Sequence, residues 1–121
     1  MTSDEPWHVE RVSGGIVDST NRVAADHVRL TWKQGGSAHG FAIIAERQSA
    51  GRGQHERVWE SPVGGLYLSA VVERVPAGLR DRLAIIAGVA VATALSEADV
   101  RNVGLRWPND LMLGGTKKVG G

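Results

Sequence analysis

Four stretches of this sequence carry residue types suited to chemistry on anions and polar head groups. Gln48-Ser49-Ala50-Gly51-Arg52-Gly53, continued by Gln54, His55, Glu56, Arg57, Val58 and Trp59, sets two close glycines beside two arginines. Glycines so spaced let backbone N–H groups turn toward an anion without Cβ interference, and arginine grips phosphate or carboxylate oxygens in pairs. The spacing fits neither a Walker loop nor a dinucleotide fingerprint, and a Gly-Arg-Gly loop is also an ordinary surface turn. Arg106-Trp107-Pro108-Asn109-Asp110-Leu111 puts an amide and a carboxylate together at a strand edge, where they can turn the chain, bind a cofactor or help hold a Mg²⁺ that carries nucleotide phosphates. Lys118 precedes Gly120 by two residues. A lone strand lysine points to solvent, so Lys118 gains meaning only if it faces the same pocket as the glycine loop. Ser19, Thr20 and Asn21 gather three short hydrogen-bonding side chains at a helix start, where simple N-capping competes with a binding role. His8, His27, His39 and His55 are scattered without metal-ligand spacing, and Ser19, Ser61 and Ser69 lack a nucleophile-elbow context.

The elements that must position these residues can be read coarsely. Ser19 to Asn21 followed by Arg22 to Lys33 predicts a helix ending near Gly35, with Val23, Ala24, Val28 and Leu30 at roughly helical spacing. Phe41 to Glu46 and Leu66 to Glu73 suit buried strands, with a long polar loop between them. Leu79 to Ala98 is Ala-rich and apolar nearly all round, which predicts a buried helix. Asn102 to Trp107 and Leu111 to Leu113 read as short strands, and Gly114-Gly115 as a hairpin turn that makes Lys117 to Gly121 a return strand. Helices packed on a sheet with adjacent hairpin strands imply an α+β, or mixed α/β, layer fold.

Composition narrows the setting. With 121 residues, 42% hydrophobic and 22% charged, the chain fits one domain and shows no internal boundary, repeat or low-complexity tract. A formal charge of +1 gives no global field toward nucleic acid or an anionic membrane, so any phosphate chemistry must rest on locally placed cations. There is no cysteine, hence no disulfide and no thiolate. The polar, acidic start at Met1 to Pro6 lacks a signal pattern, and the apolar run Leu83 to Leu95 is shorter than the ~18–20 residues a bilayer span needs. Cytoplasmic is the default expectation. Glycine, at 16 residues, is in excess of the roughly 7% usual share.

Taken in order, Asp18-Ser19-Thr20-Asn21, Gln48 to Gly53 with Arg57 and Trp59, Ser61-Pro62 with Gly65 to Ser69, Arg106 to Leu111, and Lys118-Val119-Gly120 resemble the catalytic domain of biotin protein ligases. The resemblance implies a class II synthetase-like mixed sheet packed with helices. It also implies a two-step reaction: biotin's carboxylate attacks the α-phosphorus of ATP in the presence of Mg²⁺, giving biotinyl-5′-AMP and pyrophosphate, and a lysine of a biotin carboxyl carrier protein domain then takes the biotin as an amide. By that resemblance Lys118 and Arg52 are catalytic, Lys118 reaching the carboxylate and α-phosphate and Arg52 lying in the loop that closes over the adenylate. Ser19, Thr20, Asn21, Gln48, Arg52, Gly53, Gln54 and Lys118 surround biotin. Arg57, Trp59, Asn109 and Asp110 serve ATP and its Mg²⁺, with no dedicated protein metal site. A homodimer through a sheet edge stays open. A lipoate or octanoyl ligase-transferase of the same superfamily is a related alternative, and a truncated, non-catalytic relative that binds biotin or a partner is one from a different class.

This sequence departs from the family pattern at one place. Biotin ligases usually carry a basic residue directly after Gly-Arg-Gly and another basic residue or glycine soon after, whereas here Gln54, His55 and Glu56 follow. Two positive charges are missing and one negative charge is added, which bears on loop closure and adenylate retention. Lys117 competes with Lys118 for the inward position, since strand alternation allows one of them to face a given side. About 17 residues precede Asp18, too few for the helix-turn-helix domain of some relatives, so DNA binding is not expected. The resemblance reaches residue 120 yet covers only about the first half of the family's catalytic domain, so residues 1–121 are expected to be its N-terminal part, without the C-terminal β domain.

Overall fold

The structure, a computed structural model, describes residues 6–121. By its internal contacts the chain divides into two compact units, with the division between Arg74 and Val75.

The first unit is built on strand β1 (His8–Arg11), β2 (Ile16–Val17), helix α1 (Thr20–Lys33), β3 (Phe41–Ala45), β4 (Arg47–Gln48) and β5 (Tyr67–Ala70). β3 is the centre of a three-stranded mixed sheet, parallel to β1 and antiparallel to β5, and β2 and β4 form a separate parallel pair. The β1 pairing joins His8 to Phe41 and Arg11 to Ile44; the β5 pairing joins Ile43 to Ser69 and Ala45 to Tyr67. Alternation sends Phe41 and Ile43 to one face, where Ala24 of α1 meets them and Val12, Val23 and Val71 close the edges. His27 stacks on Phe41 with ring centroids 3.8 Å apart. The outer face of α1 is held by Arg22, paired with Asp18 and Asp26, and by Arg29, also paired with Asp26. The Glu73 carboxylate ties off the α1–β3 connection, accepting from Trp32 Nε1 at 2.7 Å, Ser37 Oγ at 2.6 Å and the Ala38 N–H at 2.9 Å.

The second unit holds α2 (Ala77–Arg80), α3 (Leu83–Glu97) and an antiparallel sheet of β6 (Val103–Arg106), β7 (Asp110–Leu113) and β8 (Lys117–Gly120), with β7 in the middle. The β7–β8 hairpin turns through Gly114 and Gly115 at φ +61° and +74°, the left-handed region that glycine enters without a Cβ penalty. The register pairs Arg106 with Asp110, Met112 with Lys118 and Leu113 with Lys117, with an irregularity between Leu111 and Met112.

The mixed α+β architecture is the one expected, and α1, β3 and the hairpin fall where the sequence puts them. Two expectations need correction. The predicted helix from Leu79 to Ala98 is two helices broken at Asp81 and Arg82, and none of its residues is buried: Leu83, Ile86, Val89 and Val91 are 41–49% exposed. A helix apolar on all sides needs cover on all sides, and among the described residues of its own unit α3 packs chiefly against β6 and β7. The strand read over Leu66 to Glu73 is only four residues long, and just Ser69 in it is buried.

Candidate functional site

In the first unit the start of α1, β4 and β5 bring a set of small polar side chains together. Thr20 is only 4% exposed, and its N–H, one of the donors a helix start leaves without a partner, donates to Gln48 Oε1 at 2.8 Å. Thr20 Oγ1 donates to the same oxygen at 3.1 Å and lies 2.8 Å from Ser69 Oγ. Ser69 Oγ is in turn 2.5 Å from Asn21 Oδ1. Two hydroxyl protons cannot serve all three contacts, so the set is fully satisfied when Asn21 turns its amide N–H toward Ser69. The other end of Gln48 donates from Nε2 to Ser61 Oγ at 3.1 Å, and Ser61 passes its own proton to the Trp59 carbonyl at 2.9 Å. Gln48 therefore links the helix start to the segment that follows the glycine loop. Ser19 occupies the N-cap position with extended backbone and makes no side-chain cap bond; its N–H takes Asp18 Oδ1 at 2.7 Å. Arg22 holds the Asp18 carboxyl below its ordinary pKa by a direct hydrogen bond.

The Gly-Arg-Gly segment folds back on itself. The Trp59 N–H donates to the Gly51 carbonyl at 2.8 Å, the Gly53 N–H to the Arg57 carbonyl at 2.6 Å, and Arg52 bridges Val58 in antiparallel fashion. Gly51 is buried, and no Cβ fits there: one would meet Ser61 Oγ and the Trp59 carbonyl at 2.5 Å. At the tip, the turn Gln54–Glu56 holds His55 and Glu56 at φ +57° and +61°, a conformation that costs a non-glycine residue about 1–2 kcal/mol. Arg52, Gln54 and Arg57 are exposed on this loop and Trp59 is half-buried. The polar cluster thus unites Thr20, Asn21 and Gln48, with Ser19 beside them, while Arg52, Gly53, Gln54 and Arg57 lie on a separate flap.

In the second unit, Asp110 is shared between two cations. Lys118 Nζ lies 2.8 Å from Oδ1, and Arg106 donates from Nη2 at 2.8 Å and Nε at 3.1 Å to Oδ2. Asp110 is 14% exposed in its side chain and Lys118 is 40% exposed. The Lys118 hydrogen bond, followed by that of Arg106, keeps the Asp110 carboxyl below its ordinary pKa against a smaller opposing effect of burial. Register and alternation put Arg106, Asp110, Met112 and Lys118 on one face of the sheet, and Lys117, opposite Leu113, on the other. Asn109 is half-buried beside Asp110.

Sequence reasoning left Ser69, Ser61 and Arg106 without a site role. Ser69 had a legible signal, a hydroxyl within an apolar strand that must find a partner once buried. Arg106 had one as well, since it lies four residues from Asp110 across a turn. A cleft of about 360 Å³ in the first unit, lined by Arg11, Val12, Gly14, Gly15, Ile44 and Glu46, contains none of these residues. The converging polar groups locate the site better than the cleft does. Among the described residues no three His, Cys, Asp or Glu side chains cluster as a metal site, and no helix is long and apolar enough to cross a membrane.

Comparison with known proteins places these features in one context. Residues 13–121 match the model of the biotin/lipoate A/B protein ligase family. The bifunctional ligase/repressor BirA of Escherichia coli (strain K12) is 38% identical over 108 residues, which make up 87% of this chain and 32% of that protein. The biotin--[acetyl-CoA-carboxylase] ligase of Mycobacterium tuberculosis is 34% identical over 111 residues, 87% of this chain and 41% of that one. Among solved structures, biotin protein ligase from Leishmania major in complex with biotinyl-5-AMP superposes with a TM-score of 0.72 at 31% identity, covering 93% of this chain and 49% of that one. The ligase from Aquifex aeolicus in complex with biotin and ATP gives 0.65 at 33% identity, covering 85% and 40%. The chain spans less than half the length of each of these relatives.

Proposed function

Since the chain belongs to the biotin/lipoate A/B protein ligase family, we propose that it works in the biotin branch, activating biotin with ATP and passing it to a lysine of a carboxylase's biotin carboxyl carrier domain, in the cytoplasm. We read residues 13–121 as part of a catalytic domain of that kind. The relatives named as biotin ligases, and the solved ligases that hold biotinyl-5-AMP or biotin with ATP, support the reading. The observation that carries it is the sheet face where Arg106 and Lys118 converge on the Asp110 carboxylate.

Two cations gathered on one face answer the difficulty of the first step. A carboxylate approaching a phosphate is repelled by about 4 kcal/mol per pair of unit charges at 4 Å and an effective dielectric near 20, so a fixed cation must stand between them. Lys118 takes that place. A carboxylate oxygen of biotin bonds to the α-phosphorus and pyrophosphate leaves; the carrier lysine's amine then attacks the acyl carbon, loses its proton, and AMP leaves with the bridging oxygen. Ser19, Thr20, Asn21 and Gln48 offer the donors and acceptors that biotin's ureido head needs, and Gln48 keeps a second amide N–H beyond its bond to Ser61. Arg52, Gly53 and Gln54 belong to the flap that covers the adenylate and keeps water from the mixed anhydride. Arg57, Trp59, Asn109 and Asp110 attend the nucleotide. Asp110 is engaged by two cations, so the ion is read as arriving on ATP's phosphates.

The test is biotin-dependent pyrophosphate release by the purified, folded chain with ATP and Mg²⁺. Release with biotin, and not with lipoate or octanoate, is expected. No release with any acid from a chain shown to be folded contradicts the enzyme reading, and release with lipoate alone contradicts the biotin branch.

A further inference from the structure

We propose that Arg106 is a positioning residue for Lys118, acting through Asp110; the inference rests on the reading of Lys118 given above. The two cations do not compete for the same atom. Arg106 sends two N–H groups to Asp110 Oδ2, while Lys118 has Oδ1 to itself. A carboxylate gripped on one oxygen by two donors of a rigid guanidinium cannot rotate freely about its own bond, so its second oxygen is aimed. The aim falls on the lysine: Arg106 sits directly across the ladder from Asp110, and Asp110 lies diagonal to Lys118 on the same face. A flexible four-carbon side chain, 40% exposed, is thereby held at a defined position before any ligand arrives.

The arrangement also assigns Asp110 a first task other than metal binding. Both oxygens of the carboxylate are held by cations, so neither is open to a divalent ion while the two contacts stand. An incoming carboxylate or phosphate can replace Asp110 at Lys118 Nζ, while Arg106 keeps Asp110 from following the lysine. Lysine would not reproduce this from position 106, because a single ammonium cannot supply two parallel donors to one oxygen in a fixed plane.

The experiment reads the lysine itself and needs no biotin chemistry. Acetylation of the folded chain with a small N-hydroxysuccinimide ester at low conversion, followed by peptide mass spectrometry, gives separate rates for Lys117 and Lys118. A side chain held against a carboxylate must leave that contact to reach the ester, so it reacts more slowly. Lys118 is expected to react about fivefold more slowly than its neighbour Lys117, which lies on the other face and serves as the internal reference. Asp110→Asn should erase the difference, Arg106→Gln should remove most of it, and Arg106→Lys should restore less than half. Circular dichroism identifies any variant that fails to fold, and the wild-type ratio stands without variants. Equal rates at the two lysines in the wild-type chain, or an Arg106→Gln ratio equal to wild type, would overturn the proposal. Either result leaves the ligase reading untouched, which depends on pyrophosphate release.

Discussion

The two glycines flanking Arg52 sit in different surroundings, and replacing each with alanine should separate a packed position from an open one. At Gly51 a Cβ would stand 2.5 Å from both Ser61 Oγ and the Trp59 carbonyl oxygen, and 2.9 Å from Gln48 Nε2. These are about an ångström short of ordinary van der Waals contact. Ser61 can rotate away only by giving up its bonds to Gln48 Nε2 and the Trp59 carbonyl, at 3.1 and 2.9 Å. The Trp59 carbonyl is main chain, and the N–H of the same residue is bound to the Gly51 carbonyl at 2.8 Å. Overpacking of this kind costs about 1–3 kcal/mol and a lost hydrogen bond about 1 kcal/mol, so Gly51→Ala should destabilise the chain by about 2–4 kcal/mol. Gly53 has a φ of −96°, and the nearest atoms to a Cβ there lie 3.6, 3.7 and 3.9 Å away. Gly53→Ala should therefore change stability by less than about 0.5 kcal/mol. Urea unfolding followed by tryptophan fluorescence, with the slope checked for constancy, measures both. If the two variants unfold within about 0.5 kcal/mol of each other, the close packing inferred at Gly51 is wrong.

Three further outcomes can be checked. Glu56→Gly removes a side chain from a left-handed position at φ +61° and should stabilise the chain by about 1 kcal/mol, read as a higher urea midpoint. The Glu73 carboxyl is held below its ordinary pKa by Ser37 first, then by Trp32 and the Ala38 N–H; its contribution is fully present above the ordinary value and lost as pH falls through the lowered one. Glu73→Gln should therefore narrow the stability difference between pH 7 and about pH 3, and an unchanged difference would contradict the Glu73 account. Gln54→Arg restores a cation that biotin ligases usually carry after Gly-Arg-Gly; release of preformed biotinyl-5′-AMP, followed by chase with unlabelled compound, should slow about fivefold, and an unaltered rate would mean that the flap's charge does not govern retention.

What the sequence discloses follows from which forces leave a pattern in it. β3 was readable because its residues are buried almost throughout, and a buried strand must be an apolar run. The β7–β8 hairpin was readable because two consecutive left-handed positions call for glycine. β1, spelled His-Val-Glu-Arg and exposed throughout, was not: it pairs in parallel with β3 through main-chain hydrogen bonds, which have no side-chain signature. The apolar surface of α3 announced a helix but not its surroundings, because hydrophobicity records a need for cover and not whether a three-stranded sheet can provide it. At the site, the fragments and their order were legible, whereas the partners were not. Thr20 and Ser69 lie 49 positions apart and meet only because β5 runs beside β3 under the start of α1. The Asp110 clamp was half visible: Arg106 and Asp110 share a segment, but only the register of β8 decides that Lys118 rather than Lys117 reaches it.

The proposed role of Lys118 in joining biotin to AMP can be read in a rapid-quench mixture of the protein with biotin, ATP and Mg²⁺, analysed for biotinyl-5′-AMP by mass spectrometry. The wild-type chain should accumulate the adenylate within the first turnover, and a folded Lys118→Ala chain should form it at least about a hundredfold more slowly, the scale of losing a fixed transition-state cation. Absence of biotinyl-5′-AMP from the folded wild-type chain would rule out biotin activation by this chain, and its formation at equal rates in both chains would rule out Lys118 as the cation that serves it.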